Sequence, residues 1–233
     1  MIAEDAASQP GAVAVPGYLL ELYWWAYVHP SGVRLFERQW LVNCILMGNF
    51  ARLRDAALQA FGPHPGGRTL QLGCVYGDLT PRLAERIAGR GELDVVDVLP
   101  IQLENLRAKL PPAAPVNLRL GNAAALALPS ARYERALVFF LLHEQPAAVR
   151  RATLHEAFRL LKPGGRLVIV DYHRPSALHP LRPLLQPLLR RLEPYALDLW
   201  QHDLVKWLPR GAGRRSRKRT FFGGLYQCVV VEK

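Results

Sequence analysis

The stretch Gln71-Leu72-Gly73-Cys74-Val75-Tyr76-Gly77-Asp78 decides the fold, because it follows a short apolar run and opens a helical pattern. Glycines at this place allow a tight turn and a close approach to a ligand, and the N-terminus of the next helix favours a negative group. Their GxxxG spacing differs from the GxGxxG of dinucleotide-binding proteins and disfavours NAD. The stretch therefore predicts a nucleotide-like site after the first strand of an α/β sheet.

Short apolar strands and helical patterns alternate after this loop. The predicted strands are residues 69–74, 93–98, 116–120, 136–142 and 166–171, and the predicted helices are residues 79–88, 101–110 and 147–161. Continuous apolar strands that alternate with helices are typical of a parallel sheet covered on both faces. We expect a closing hairpin, residues 218–222 and 226–231, that turns at Gly223-Gly224.

The segment before the sheet is rich in aromatic residues. Residues 1–17, rich in Ala, Pro and Gly, are expected to be poorly ordered, and residues 35–60 are predicted to form one helix. The acidic N-terminus disfavours a secretory signal, and the longest apolar run, residues 136–142, is too short to span a bilayer. Three cysteines far apart exclude a disulfide framework and favour a reducing compartment.

The 233 residues carry a net charge of +11, much of it near the C-terminus. Residues 182–219 contain ten basic and three acidic residues. Leucines repeat at intervals of three and four from Leu178 to Leu192, and Pro183 and Pro187 interrupt the pattern. This basic amphipathic stretch predicts either a surface for an anionic membrane or a lid packed on the core.

Polar side chains follow each predicted strand. Asp97 follows the second strand, where a carboxylate can accept both hydroxyls of a ribose, and Asn122 follows the third, where its amide can meet an adenine edge. His143 and Glu144 follow the fourth strand, and Asp171, Tyr172 and His173 end the fifth. Because parallel strands end at one edge of a sheet, we expect these groups to converge.

The order of these motifs, ending in Leu161-Lys162-Pro163-Gly164-Gly165, resembles the class I S-adenosylmethionine-dependent methyltransferases over residues 68–171, most of all those acting on quinones. Almost the whole chain resembles the rhodoquinone biosynthesis methyltransferase-like proteins more closely. The blocks that carry this resemblance are YWWAYVHP (23–30), CVYGDLTP (74–81), FFLLHEQP (139–146), VDYHRP (170–175) and TFFGGLYQ (220–227).

The resemblance implies an α/β fold of the class I methyltransferase (Rossmann-like) type, a doubly wound, mostly parallel seven-stranded sheet with an N-terminal helical cap. The composition and the Pro/Gly-rich linker divide the chain into a tail and aromatic-rich cap (1–66) and an S-adenosylmethionine-binding domain (67–233), with 176–210 as a basic lid or membrane-facing insertion. The resemblance also implies a reaction. It implies an enzyme that converts ubiquinone, a lipophilic quinone, to rhodoquinone. S-adenosyl-L-methionine would donate the amino group that replaces a ring methoxy group, with Mn2+ assisting.

The glycine loop and the strand ends supply the expected site residues. The expected cofactor-binding residues are Gln71, Gly73, Cys74, Val75, Tyr76, Gly77, Asp97, Val98, Asn122, Ala123 and Phe139. The expected catalytic residues are His143, Tyr76 and Glu144, as base, donor to a substrate oxygen and proton acceptor. The expected ligands of a manganese site with mixed nitrogen and oxygen donors are His143, Glu144, Asp171 and His173.

The glycine loop departs from the superfamily pattern at two positions. Gln71 stands where an acidic residue is usual, and Val75 stands at the middle glycine. A β-branched residue resists a positive φ, so we expect the cofactor to be displaced from its usual pose, which is compatible with amino transfer. A loop that works normally is the alternative.

Three other functions stay open. The first is a conventional C- or O-methyltransferase acting on a quinone precursor. The second is a nucleic-acid methyltransferase or RNA-binding module, suggested by the charge but disfavoured because Leu142-His143-Glu144-Gln145-Pro146 lacks the Asn/Asp-Pro-Pro-aromatic tetrad. The third is a non-catalytic S-adenosylmethionine-binding protein. We expect a cytoplasmic location, peripheral on a bacterial inner membrane, or the matrix side of the mitochondrial membrane. The oligomeric state is left open.

Overall fold

The computed structural model describes residues 14–233, without the side chains of residues 213 and 214. Within this range the strands are β1 (Gly67–Leu72), β2 (Gly91–Asp97), β3 (Val116–Leu120), β4 (Tyr133–Phe139), β5 (Leu161–Tyr172), β6 (Ser216–Phe221) and β7 (Tyr226–Glu232). The helices are α1 (Gly17–Leu22), α2 (Pro30–Phe36), α3 (Gln39–Ile45), α4 (Phe50–Ala60), α5 (Leu79–Ile87), α6 (Pro100–Lys109), α7 (Ala147–Leu160), α8 (Arg182–Leu192) and α9 (Asp198–Gln201).

All seven strands form one sheet in the order β3-β2-β1-β4-β5-β7-β6. Strands β1 to β5 are parallel, and β7 pairs antiparallel with both β5 and β6. The predicted seven-stranded, mostly parallel sheet and its closing hairpin are therefore confirmed. The order reverses between β1 and β4, which is where ligands bind in open α/β sheets.

The central strands read as continuous apolar runs because both faces of the sheet are covered. Four consecutive residues of β5, Leu167 to Val170, are fully buried, as are Ala136, Leu137 and Val138 of β4. Helices pack on these faces through residues such as Leu83 and Leu154. Burial of this apolar surface is the main stabilising contribution to the domain and fixes the strand ends that carry the site.

The predicted single helix of residues 35–60 is wrong, because the structure divides this stretch among α2, α3 and α4. Met47 and Gly48 have φ angles of 50° and 78°, in a region that a helix does not use. The Asn49 side-chain amide stabilises the break by donating hydrogen bonds to the carbonyls of Leu46 and Met47. The break turns α4 toward the sheet and leaves α1 to α3 as a separate cap.

The expectations for the N-terminal residues, for the domain division and for the segment 176–210 remain predictions. Residues 1–13, most of the segment expected to be poorly ordered, lie outside the described residues. The division at residues 66 and 67 and the lid at 176–210 also stay predictions, although 176–210 does contain α8 and α9 between β5 and β6. Within residues 14–233, no helix combines the length and apolar character that crossing a membrane requires.

Candidate active site

The glycine loop after β1 depends on two glycines with positive φ. Gly73 and Gly77 have φ angles of 83° and 81°, and a Cβ on Gly77 would lie 2.8 Å from the Phe50 ring. Val75, between them, does not adopt a positive φ, so its β-branched side chain causes no strain there. The expected backbone strain at Val75 is therefore wrong, and the expected displacement of the cofactor stays a prediction.

A first pocket lies at the carboxyl ends of β1, β2, β3 and β4. It encloses about 640 Å³, including its open mouth. Of the residues expected to bind the cofactor, seven line this first pocket: Gly73, Cys74, Asp97, Val98, Asn122, Ala123 and Phe139. The cap contributes Tyr18, Leu19 and Tyr27 to its wall.

Asp97 fixes the geometry of the first pocket. Its Oδ2 accepts a hydrogen bond from the Cys74 backbone N–H (2.7 Å), and its Oδ1 accepts one from the Leu99 N–H (2.9 Å). Burial raises the pKa of its carboxyl, although these backbone donors oppose the effect. Asn122 Oδ1 accepts from the Ala124 N–H (2.9 Å) and so stabilises the turn after β3. The carboxylate therefore connects the glycine loop to the end of β2.

Two of the expected cofactor-binding residues support the loop and do not line the first pocket. The buried Gln71 amide donates to the Gly73 carbonyl (3.0 Å) and to Thr80 Oγ1 (2.9 Å). The Gly77 N–H donates to Glu37 Oε1 of the cap (3.2 Å). An amide at position 71 therefore serves here as a brace between the loop and α5.

A second pocket of about 800 Å³ lies between the cap and the ends of β4 and β5. Its walls are mainly aromatic and aliphatic, with His143, Glu144 and Glu193 as the ionisable groups beside Tyr and Cys side chains. Val75 and Tyr76 line this second pocket, not the first. The two pockets share one wall, formed by Tyr27, Cys74, Phe139, Phe140 and Glu144.

His143 and Asp171 meet at the inner end of the second pocket. His143 Nδ1 lies 3.0 Å from Asp171 Oδ1, and both residues are buried. Asp171 Oδ1 also accepts the Tyr172 N–H (2.7 Å), and Oδ2 accepts the Leu142 N–H (2.9 Å). Because both oxygens have fixed donors, Asp171 holds the imidazole in one orientation.

The other nitrogen of His143 faces two glutamates. Nε2 lies 3.8 Å from Glu144 Oε1 and 3.9 Å from Glu193 Oε2. Burial lowers the pKa of His143, but Asp171, Glu193 and Glu144 together raise it to about 9. Burial raises the pKa of Glu144 to about 8, with His143 opposing, and burial also raises that of Glu193. At neutral pH the cluster therefore favours a protonated His143 beside a protonated Glu144.

Phe140 and Arg150 shape the loop that carries His143, and the sequence analysis missed both. Phe140 has a φ of 49°, a strained conformation for a side chain of this size, and packs edge-on against His143. Arg150 is fully buried and donates to the carbonyls of Leu142 (2.8 Å) and Gln145 (2.9 Å). Arg150 lies at helical spacing from the buried residues of α7, so the sequence pattern indicates that its side chain points inward. No sequence pattern indicates the positive φ of Phe140.

Glu193 is another residue that the sequence analysis did not assign to the site. It follows the last residue of α8, and its carboxylate interacts with the Tyr23 hydroxyl, which also lines the second pocket. Together with His143 and Glu144, these two groups form the polar part of a largely apolar pocket.

The role expected for Tyr76 as a donor to a substrate oxygen is wrong. Its hydroxyl donates to the Ala26 carbonyl (2.8 Å) and accepts from Gln102 Nε2 (2.8 Å). Its ring stacks on Tyr27 at 5.8 Å between centroids. Tyr76 therefore attaches the cap to the glycine loop, and its proton is already engaged.

The four residues expected to hold manganese do not fit a metal site. Both Asp171 oxygens have donors, and His173 Nδ1 lies 2.7 Å from the Gly224 carbonyl. Across residues 14–233 no group of three or more His, Cys, Asp or Glu side chains is arranged to hold a metal ion. The expected manganese site is therefore not formed by these four residues.

Two curated relatives match part of the chain. The ubiquinone/menaquinone biosynthesis C-methyltransferase of Vibrio cholerae is 27% identical over 163 residues, 68% of this chain and 59% of the relative. The 2-phytyl-1,4-naphtoquinone methyltransferase of Synechococcus elongatus is 31% identical over 140 residues, 58% of this chain and 55% of the relative. The chain thus spans less than two thirds of the length of these relatives.

Solved structures support the fold. A protein from Bordetella parapertussis superposes with a TM-score of 0.62 at 21% identity, over 98% of this chain and 76% of its own. The N-methyltransferase NodS from Bradyrhizobium japonicum, in complex with S-adenosyl-L-homocysteine, gives a TM-score of 0.57 at 13% identity, over 78% and 86%.

A family model described as "Methyltransferase domain" matches residues 69–165, from β1 into β5. The matched range contains the glycine loop, Asp97, Asn122 and His143, the residues around which the two pockets are built. The sheet order is that of the class I methyltransferase fold. Residues 69–165 therefore match a methyltransferase-domain model, within a sheet that has the class I methyltransferase fold.

Proposed function

We propose that the chain transfers a methyl group from S-adenosylmethionine to the ring of a lipophilic quinone precursor. The observation that carries this proposal is the shared wall of the two pockets, with the His143–Asp171 pair on the acceptor side. Adjoining pockets allow a group to pass directly from one ligand to the other. The relatives from Vibrio cholerae and Synechococcus elongatus, both named as methyltransferases of quinone compounds, support the choice of acceptor.

The residues of the first pocket fit S-adenosylmethionine. Asp97 stands at the end of β2, where a carboxylate can accept ribose hydroxyls, and Gly73 brings bare backbone to the pocket. The NodS complex with S-adenosyl-L-homocysteine supports the same ligand class on this fold. When bound, the cofactor supplies an electrophilic methyl group on its sulfonium.

The second pocket fits an aromatic ring with oxygen substituents and an apolar tail. Its walls are largely aromatic, and the side chains of Tyr23 and Glu193 offer polar contacts to the oxygen substituents. In its neutral form, His143 can take the proton of a ring hydroxyl, which increases the electron density of the ring carbon that attacks the methyl group. S-adenosylhomocysteine then leaves, and the methylated ring carbon loses its hydrogen as a proton. Asp171 stabilises the resulting imidazolium, and Phe140 and Phe139 exclude water from the shared wall.

A second candidate is the exchange of a ring methoxy group for an amino group that comes from the cofactor. The observation that favours it is the number of proton-exchanging groups, since Glu144 and Glu193 accompany His143 where methyl transfer needs one base. The amine loses a proton as it attacks, and the departing methoxide gains one and leaves as methanol. The bond between the nitrogen and the cofactor's Cα must then break, with the quinone reduced to the quinol and water supplying the oxygen that converts Cα to a ketone. These side chains offer both functions without a metal.

Doubly labelled S-adenosylmethionine distinguishes these candidates in one experiment. The purified chain is incubated with cofactor carrying ¹³C in the methyl group and ¹⁵N in the amine, and with a short-tailed demethylated naphthoquinol or a short-tailed ubiquinone. We expect ¹³C in the naphthoquinol product by mass spectrometry. Loss of methoxy with gain of ¹⁵N in the ubiquinone would support the second candidate. If neither label is transferred although calorimetry shows cofactor binding, both proposals fail and a non-catalytic role follows.

A further inference from the structure

Helix α8 has two apolar faces. Leu185 and Leu189 are buried against the core, as one face of a surface helix should be. Three other leucines of α8 and Leu178 just before it are exposed, with relative exposures of 92% (Leu178), 65% (Leu184), 46% (Leu188) and 43% (Leu192). Positions 184, 188 and 192 are spaced by four residues and therefore form one stripe along the outside of the helix.

The charged side chains of α8 are all positive. Arg190 and Arg191 are exposed in the last turn of α8, and Arg182 is half-buried at its start. None of these three arginines forms an ion pair with any acidic side chain in the described part of the chain. The acidic residue that follows, Glu193, is turned inward to the second pocket. The exposed face is therefore both apolar and cationic.

We propose that α8 docks on the surface of an anionic lipid bilayer, with its leucine stripe (Leu184, Leu188 and Leu192) in the headgroup region and its arginines on lipid phosphates. An exposed apolar stripe flanked by basic residues is the arrangement that interfacial helices use. Charge complementarity decides the partner, since several unpaired arginines favour an anionic surface over an apolar protein face. The inference does not depend on the reaction that the site performs.

Helix α8 ends next to the second pocket. Glu193, one residue beyond α8, lines that pocket together with Trp25 and Ile45 of the cap, whose side chains are partly exposed at its edge. Docking of α8 therefore brings the bilayer close to the end of the helix that is followed by Glu193 of the second pocket.

Vesicle co-sedimentation tests the docking with the full chain. Vesicles of phosphatidylcholine, alone or with a quarter of phosphatidylglycerol, are mixed with wild type, with L184Q/L188Q/L192Q and with R190Q/R191Q. We expect wild type to bind the anionic vesicles, and we expect the affinity of each variant for these vesicles to be lower by about tenfold or more. High salt should weaken the binding of wild type. The matched controls are L120Q, at an exposed leucine of edge strand β3, and R90Q/R107Q, at two exposed arginines elsewhere.

Because the substituted side chains are exposed, the thermal unfolding curves of the variants should match wild type, and this is measured first. Equal binding of wild type and both α8 variants would overturn the proposal, as would equal binding to neutral and anionic vesicles. So would a wild type that is dimeric without lipid while the leucine variant is monomeric, which would assign the stripe to a second copy of the chain. Sedimentation equilibrium decides this last point.

Discussion

His143 Nδ1 lies 3.0 Å from Asp171 Oδ1, while its Nε2 stands 3.8 Å from Glu144 and 3.9 Å from Glu193. One nitrogen of His143 is therefore fixed by a buried carboxylate, and the other is directed to the second pocket. The pair comes from two neighbouring strands, because β4 leads into the turn with His143 and β5 carries Asp171 near its end. This relationship governs the first three predictions.

Replacing His143 by Gln should lower kcat by about 100-fold or more, because a positioned general base contributes at least that much. The KM for S-adenosylmethionine should change little, since His143 does not line the first pocket. Steady-state kinetics with each substrate varied in turn measure both quantities. Asp171→Asn should lower kcat in the same direction through misorientation of the imidazole. A KM effect without a kcat effect in H143Q would contradict the assignment of a base.

The rate should rise with pH up to about 9. His143 accepts a proton only when neutral, and its neighbouring carboxylates raise its pKa to about 9. Glu144→Gln removes one of these negative charges, so the midpoint of the kcat profile should move to lower pH. The profile is measured with wild type and E144Q, and E156Q, in an ion pair with Arg159 on α7, serves as the control. An unchanged midpoint in E144Q would contradict the coupling.

The free energy of unfolding should fall as the pH rises from about 6.5 to 9. His143 has a folded pKa of about 9, above its ordinary value, so its contribution is complete below 6.5 and is lost as the pH rises through 9. The pKa of Glu144 is also raised in the folded state, to about 8. Its ionisation therefore lowers the free energy of unfolding as well, as the pH rises from the ordinary pKa of a glutamate to 8. Urea denaturation at several pH values measures the slope. His143→Gln should flatten it; a slope equal to that of wild type would refute the link.

Much of the fold can be predicted from the sequence, because the apolar strands and the glycine loop are local signals. The carboxyl-end rule also brings Asp97, His143 and Asp171 to one edge without knowledge of their contacts. Val75 was harder to interpret, since its backbone conformation depends on the glycines around it. The pocket to which its side chain belongs depends on the cap.

The rest of the site depends on long-range contacts that have no local pattern. Glu193 enters the second pocket from a helix whose internal proline obscures its periodicity, 50 residues after His143. The engagement of Tyr76 by Ala26 and Gln102 joins three distant parts of the chain. The manganese prediction was wrong for a similar reason, since residue types alone do not show that Asp171 is already saturated by backbone donors.

Arg150→Lys should lower the free energy of unfolding by about 2–4 kcal/mol, because a buried cation would lose partners and leave carbonyls unpaired. Arg150 donates to Leu142, Gln145 and Tyr195, which no single ammonium group can replace. Since this loop positions His143, kcat should fall as well. Chemical denaturation and kinetics below the unfolding transition measure the two effects. Arg90→Lys, at an exposed arginine, should leave both unchanged; a stable and fully active R150K would contradict the role.

Lys109→Met should weaken the binding of S-adenosylmethionine by about tenfold, because Lys109 connects the glycine loop to the cap. Its Nζ lies 2.9 Å from both Glu37 oxygens and donates to the carbonyls of Val75 (3.2 Å) and Gly77 (3.0 Å). Glu37→Gln removes the charge with which the cap holds Lys109 but leaves the contacts of Lys109 with the glycine loop. Because the cap forms part of the second pocket, E37Q should raise the KM for the acceptor more than the Kd for the cofactor. The double variant should show a coupling of about 1 kcal/mol in cofactor binding. Calorimetry measures the Kd, and Lys162→Met, in an exposed pair with Glu134, is the matched control. Strictly additive effects of K109M and E37Q would show that the cap and the loop bind independently.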